Sequence, residues 1–216
     1  MVSVNIGVRR VTGYADGPGG QTGIDKRPAA GRLGVRATGV EGDFIGNRRV
    51  HGDADKAAYA YASEDAAWWA AALQRDIGPG GFGENLTIEG LDVTGAVIGE
   101  RWAVGTAVLQ VSQPRIPCAT FAGFWEVPDL IKRFTARGAP GAYLRVVRDG
   151  EVAAGDPIEV LHRPAHGVTI GETFQALTTS PDLLPALLAA PELPASMRER
   201  VLRRVGSPSV GMAGRS

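Results

Sequence analysis

The sequence predicts a strand-rich domain followed, at the C-terminal end, by a small helical appendage. The chain has 216 residues with 30 glycines and 14 prolines, a content typical of many tight turns between short strands. After about residue 163 the apolar residues change from a period of two to helical spacing. We therefore divide the chain into a strand-rich domain (1–163), a helical extension (164–206) and a small, polar tail (207–216) that is expected to be disordered.

Apolar runs bounded by turn residues predict the individual strands. They are Val4–Val11, Leu33–Val40, Ala57–Tyr61, Leu86–Ile88, Arg101–Val104, Ala107–Val111, Ala142–Val147 and Pro157–Leu161. The dipeptide at residues 149–150, Asp-Gly, is a strong signal for a hairpin. Short strands separated by glycines are typical of hairpins or of a barrel.

Helices are predicted where capping residues precede apolar residues at helical spacing. Ser63 is expected to cap a helix that runs to Arg75, and Pro128–Arg137 has a helical pattern. Three short helices are expected in the C-terminal extension, two after Thr-x-x-Glu or Ser-x-x-Glu capping boxes and one after Ser-Pro. Their caps are Thr169, Ser180 and Ser196.

Composition excludes several classes of protein. The 23 Lys and Arg residues balance the 23 Asp and Glu residues, so the net positive field used for general binding to nucleic acids or anionic membranes is missing. No apolar stretch is long enough to span a membrane, and the N-terminus does not resemble a signal peptide, so we expect a cytoplasmic protein. A single cysteine excludes a disulfide within the chain and the usual iron-sulfur and structural zinc sites.

That cysteine, Cys118, is the first candidate for chemistry. It ends the segment Gln113-Pro-Arg-Ile-Pro-Cys118, whose prolines argue against a central strand and favour a rigid connection into a helix. Arg115 and a helix start would both stabilise a thiolate at Cys118. The alternative is that Cys118 is a small buried apolar residue without reactivity.

Two further segments contain candidate ligands. His51-Gly-Asp-Ala-Asp-Lys56 could bind a hard metal, but it matches no calcium loop and is more typical of a surface turn. Lys56 could instead bind an anion such as phosphate. In the segment over residues 81–87, Gly-x-Gly precedes a strand and no helix follows, so this segment is a structural turn and not a dinucleotide fingerprint.

A set of motifs spans nearly the whole chain in a fixed order. They are Thr22-Gly-Ile-Asp-Lys26, Gly39-Val-Glu-Gly-Asp43, His51-Gly-Asp-Ala-Asp-Lys56, Phe82-Gly-Glu-Asn-Leu-Thr87, Ser112-Gln-Pro-Arg-Ile-Pro-Cys118 and Gly155-Asp156. The set resembles the MOSC domain family, named after the C-terminal domain of molybdenum cofactor sulfurase, and within it the YiiM-like bacterial subgroup. Residues 168–205 resemble that subgroup's three-helix extension. One departure is that Asp53 and Ala54 stand where the family usually has Gly-Pro.

The resemblance implies a strand-rich, barrel-like α+β fold that binds the molybdenum cofactor, a pyranopterin with a dithiolene and a phosphate. By this resemblance Cys118 is the catalytic residue and the metal ligand, because a soft thiolate suits molybdenum. Lysine and arginine donors suit the phosphate. The implied cofactor-binding residues are Thr22, Lys26, His51, Lys56, Glu84, Asn85, Arg115 and Cys118.

The resemblance also implies an activity. Related proteins reduce N-hydroxylated substrates, including hydroxylaminopurines, amidoximes and hydroxylamines, to amines, which is a detoxification. The reaction needs two electrons, and with no site for an iron-sulfur cluster or a dinucleotide they would come from an external reductase. One alternative is a non-enzymatic carrier of the cofactor, or of persulfide sulfur on Cys118. Another is a binding module in which Cys118 is inert. The helical extension could dock a partner, stabilise the domain or form a homo-oligomer.

Overall fold

The computed structural model describes residues 1–206, which form strands and helices around one large sheet. The strands are β1 (Ser3–Gly7), β2 (Arg10–Val11), β3 (Gln21–Thr22), β4 (Lys26–Pro28), β5 (Leu33–Arg36), β6 (Gly39–Val40), β7 (Ala58–Ala62), β8 (Leu86–Ile88), β9 (Arg101–Val104), β10 (Ala107–Pro114), β11 (Ala142–Arg148), β12 (Gly150–Val152) and β13 (Ile158–His162). The α-helices are α1 (Arg48–His51), α2 (Ser63–Leu73), α3 (Ala119–Trp125), α4 (Leu130–Arg137), α5 (Ile170–Thr178) and α6 (Ala195–Gly206). Segments of 3₁₀ helix cover Pro18–Gly20, Ala54–Lys56 and Pro181–Ala189. The predicted tail, residues 207–216, lies outside the described residues.

The large sheet has eight strands in the order β13-β9-β10-β11-β7-β8-β1-β4. Neighbouring strands are antiparallel, except that β7 and β8 are parallel. Strands β12, β5 and β6 form a second sheet, and β2 and β3 form a third. The predicted mixture of helices and strands is therefore confirmed. Closure into a barrel is not confirmed, because no pairing between the edge strands β13 and β4 is found within residues 1–206.

Strand β7, with the sequence Ala-Tyr-Ala-Tyr-Ala, separates two parts of the core. Successive side chains of a strand point to opposite faces of the sheet. Its alanines pack into an aliphatic cluster with residues such as Leu109 and Leu144. Its tyrosines pack into an aromatic cluster with Trp69, Phe82 and others. The aromatic cluster packs α2, α3 and α4 against the sheet.

The C-terminal helices share the core of the strands. Ile170 and Leu177 of α5, Leu187 of the 3₁₀ segment and Val201 of α6 belong to the same aliphatic cluster as the large sheet. The capping box predicted at Thr169 is confirmed. The Thr169 hydroxyl accepts a hydrogen bond from the Glu172 backbone N–H, and the Glu172 carboxylate accepts one from the Thr169 backbone N–H. The division of the chain at residue 163 stays a prediction.

No helix in the described part of the chain is long and apolar enough to cross a membrane.

Two strand predictions near the N-terminus and at residue 149 are wrong. The predicted strand Val4–Val11 is divided into β1, which pairs with β4 and β8, and β2, which pairs with β3 in a separate sheet. The Asp-Gly turn at residues 149–150 does not form a hairpin, because β12 pairs with β5 and not with β11. In both cases a partner distant in sequence determines the pairing.

Two boundary predictions are also wrong. Strand β10 continues to Pro114, which is opposite Ala142 of β11. A proline is tolerated at this position because the pairing of β9 with β10 ends at Gln110, so that Pro114 has a neighbouring strand on one side only. Helix α2 begins at Ser63 itself, and the Ser63 hydroxyl bonds the Glu64 carboxylate instead of capping the helix.

Candidate functional site

A cavity of about 720 Å³, including its open mouth, lies where several turns meet at one end of strands β7, β10 and β11. The residues that line it are numbers 16, 21–24, 26, 43–47, 51, 56, 57, 59, 83, 85, 115, 118, 120 and 143. Gly23 lets two wall segments touch, because a Cβ there would overlap the Phe44 carbonyl group. The cavity therefore depends on contacts between segments distant in sequence.

The structure brings together most of the residues named from the sequence. Those that line the cavity are Thr22, Lys26, His51, Lys56, Asn85, Arg115 and Cys118. Glu84 lies behind the wall: its buried carboxylate accepts hydrogen bonds from the backbone N–H groups of Gly80 and Phe82 and from the Thr87 hydroxyl. The Thr22 hydroxyl accepts a hydrogen bond from the Ile24 backbone N–H. Glu84 and Thr22 thus hold turns in place.

Cys118 and Arg115 both line the cavity. Cys118 is partly buried and precedes the first residue of α3 in an extended conformation, as predicted. The Arg115 guanidinium is buried between two aromatic rings, 5.2 Å from the centre of the Tyr59 ring and 4.4 Å from that of Phe121. It also donates a hydrogen bond to the Phe82 carbonyl. Such cation-π contacts stabilise a buried positive charge close to the thiol.

Lys26 is paired within the wall of the cavity. Its ammonium lies 2.6 Å from both carboxylate oxygens of Asp43, and the two side chains are only 9% and 4% exposed. Burial lowers the pKa of Lys26, and the attraction of Asp43 opposes this effect. Asp43 also accepts hydrogen bonds from the Gly7 N–H and from the Asn85 amide. The charge of Lys26 is therefore compensated by Asp43 before any ligand binds.

Asn85 fixes β7 against the turn that precedes β8. Its side-chain oxygen accepts a hydrogen bond from the Tyr59 N–H, and its amide donates to the Asn5 carbonyl as well as to Asp43. The Asn85 side chain thus has its hydrogen bonds with groups of the protein itself. Asn85 and Lys26 consequently connect segments of the wall through hydrogen bonds.

The His51–Lys56 segment forms a helical turn followed by a 3₁₀ turn. Gly52 ends the helical turn, and only glycine fits there because a Cβ would lie 2.5 Å from the Arg48 carbonyl oxygen. Lys56 folds back so that its ammonium donates to the Val50 carbonyl at 2.8 Å and to the Asp53 carboxylate at 2.6 Å. The predicted surface turn is thus also part of the cavity wall.

His51 and Tyr143 lie next to each other in the cavity wall. The Tyr143 hydroxyl lies 3.5 Å from Nδ1 of His51. Burial lowers the pKa of His51, and the positive charges of Arg115 and Lys56 lower it further. Burial raises the pKa of Tyr143, so its hydroxyl keeps its proton at neutral pH. The pair therefore combines a neutral imidazole with a protonated phenol.

The lowered pKa of His51 predicts a specific loss of stability in acid. The unfolded chain takes up this proton near the ordinary histidine pKa of 6.5, whereas the folded protein does so only at lower pH. The free energy of unfolding should therefore fall as the pH falls below about 6.5. His51→Gln should reduce that fall, measured by urea denaturation at about pH 7.5 and about pH 5.5. The exposed His162→Gln variant controls for the substitution, and an unchanged pH dependence in His51→Gln would contradict the prediction.

Three residues that contact the candidates were not themselves among them. Asp43 stands in one of the quoted motifs, but only the structure shows its contact with Lys26. Tyr59 and Tyr143 are strand residues whose rings are 5.2 Å apart. The alternation of alanine and tyrosine in β7 is the only signal that could have indicated Tyr59. Nothing in the local sequence indicates Tyr143, because its site partner His51 is distant in sequence.

The fold and the cavity define a class of protein: a mixed α and β domain with a cavity whose lining combines one thiol with cationic side chains. Within residues 1–206, no group of three or more His, Cys, Asp or Glu residues is placed to hold a metal ion.

Comparison with known proteins identifies the family. The family model for the MOSC domain matches residues 47–159. The protein YflK of Bacillus subtilis (strain 168) is 35% identical over 170 residues, which are 79% of this chain and 76% of YflK. The crystal structure of YiiM from Geobacillus stearothermophilus has a TM-score of 0.78 and 31% identity, and the match covers 94% of this chain and 97% of that one. The chain belongs to the MOSC domain family, as its motifs indicated.

A further relative is a protein named reductase from Gibberella moniliformis (strain M3125 / FGSC 7600). It is 31% identical over 145 residues, which are 65% of this chain but only 26% of that protein. The shared part therefore corresponds to one section of a longer chain.

Proposed function

We propose that this protein binds the molybdenum cofactor in the cavity, with Cys118 as the protein ligand of molybdenum, and reduces N-hydroxylated compounds to amines. The observation that carries the proposal is that a partly buried thiol, Cys118, shares one cavity of a MOSC domain with Arg115, Lys56 and His51. The relationship to a protein named reductase supports a redox role.

The donor set of the cavity fits this cofactor. One soft thiolate suits molybdenum, and the scarcity of other grouped metal ligands in the described residues suits a metal that arrives with its own dithiolene ligands. Arg115 and Lys56 supply positive charge for the pterin phosphate. The resemblance implied a cofactor-binding role for Lys26 as well, but its ammonium is already paired with Asp43. We assign Lys26, Asn85 and Glu84 to the support of the wall.

When bound, the cofactor supplies the two-electron redox chemistry, and the residues of the chain orient the substrate and control water and protons. The Tyr143 hydroxyl holds a proton at its phenol oxygen, and the neutral imidazole of His51 lies within reach of it. The rings of Tyr59 and Phe121 enclose Arg115 and limit the access of water to it. Electrons come from an external reductase in this proposal.

The test is to prepare the protein anaerobically in a host that synthesises the cofactor, and to measure metal, pterin and turnover. We expect about one molybdenum per chain. Dithionite-reduced viologen should support reduction of a hydroxylaminopurine, whereas NADPH should do so only after a reductase is added. Molybdenum far below stoichiometry would refute cofactor binding. Full molybdenum without turnover would favour the carrier alternative, and turnover with NADPH alone would reveal a second cofactor site.

A further inference from the structure

Lys56 already has an anionic partner within its own turn. The Asp53 carboxylate lies 2.6 Å from the Lys56 ammonium, and the Val50 carbonyl accepts a second hydrogen bond from it. An ammonium group has three N–H donors. One donor is therefore left to reach an anion in the cavity.

The two members of this pair differ in their surroundings. The side chain of Lys56 is 21% exposed and lines the cavity, whereas that of Asp53 is 49% exposed and lies outside it. An anion that approaches Lys56 from the cavity comes close to the Asp53 carboxylate, and two negative charges at one ammonium repel each other. The partial exposure of Asp53 also allows its carboxylate to turn into solvent and release Lys56.

The other lysine of the wall shows what makes this pair different. Lys26 and Asp43 are both buried, and Asp43 is tied to the Gly7 N–H and to Asn85 as well, so this pair cannot open without breaking the wall. Asp53 has no comparable network, since Lys56 is the one hydrogen-bonding partner found for its side chain in the described structure. The Lys56 pair is the one that can exchange its anion.

We propose that Asp53 is an internal competitor for the anionic group that Lys56 binds, and that it thereby sets the affinity of the cavity for ligands that carry a phosphate. The identification of that ligand with the cofactor rests on the proposed function, but the competition itself does not. Asp53 thus acts from outside the cavity through Lys56, and its carboxylate lowers the affinity for ligands that carry a phosphate.

The experiment measures the binding of inorganic phosphate to the full chain, prepared without cofactor, by calorimetry at low ionic strength. Asp53→Asn keeps the size of the side chain and removes its charge, and it should tighten phosphate binding about two- to fivefold. Lys56→Ala should weaken binding, and the double variant with Asp53→Asn should show no gain over Lys56→Ala. Asp55→Asn is the matched control, because Asp55 lies on the same turn but pairs with Arg145 at 2.8 Å.

Each outcome is decisive. If Asp53→Asn binds phosphate as weakly as the unchanged protein, or more weakly, Asp53 positions Lys56 and the competition is refuted. An equal gain in Asp55→Asn would also refute it, since the effect would then be general electrostatics. Cofactor retention through dialysis is measured separately on protein from the cofactor-competent host. A gain in phosphate affinity together with a lack of molybdenum would support the competition and reject the proposed function.

Discussion

Asp43→Asn is expected to lower the free energy of unfolding by about 3 to 5 kcal/mol, the usual cost of removing one partner from a buried ion pair. The substitution leaves the Lys26 ammonium in the wall without its counter-ion, where burial already lowers its pKa. It also weakens the acceptor for the Gly7 N–H and the Asn85 amide. Urea denaturation monitored by tryptophan fluorescence measures the change.

The control for this prediction is an exposed ion pair. Arg36 and Asp149 are 3.7 Å apart with side chains 61% and 58% exposed, so Asp149→Asn should change stability by less than about 1 kcal/mol. Combining Asp43→Asn with Lys26→Met should recover part of the loss, because no unpaired charge then remains buried. A change below about 1 kcal/mol for Asp43→Asn itself would show that the pair does not support the wall.

Cys118→Ser is expected to reduce molybdenum content strongly and to lower hydroxylamine reduction at least about 100-fold, since replacing a metal ligand should cost no less than losing an outer-shell partner. A serine hydroxyl is a harder donor than a thiolate and suits molybdenum poorly. Because Cys118 is only partly buried, the free energy of unfolding should change by less than about 1 kcal/mol. Metal analysis and turnover with reduced viologen measure the two effects.

The matched control places the same serine one position later. Ala119 is the first residue of α3, is exposed and does not line the cavity, so Ala119→Ser should keep both metal and activity. If Cys118→Ser retains substantial activity with a full molybdenum load, Cys118 is not the metal ligand. If Ala119→Ser loses both as well, the loss in Cys118→Ser comes from a disturbed helix start and not from the thiol.

Local chemistry explains the parts of the fold that could be predicted. The capping box of Thr169 and Glu172 forms between residues three positions apart, so the sequence alone contains both members. The prolines before Cys118 restrict the backbone locally, and the cysteine does precede a helix. Strand pairing was predicted less well, because the division of Val4–Val11 depends on partners in β3, β4 and β8.

The sequence by itself determined the family, through motifs in a fixed order, and the presence of a single thiol beside Arg115. It also indicated seven of the residues that line the cavity. Only the tertiary structure decided which charged side chains of the cavity are already paired: Lys26 is held by Asp43 and Lys56 by Asp53. It also decided that Tyr143 contacts His51, which is 92 positions away in the sequence. The physical reason is that spacing and propensity act over a few residues, while the pairing of buried charges and rings depends on which distant segments the whole fold brings into contact.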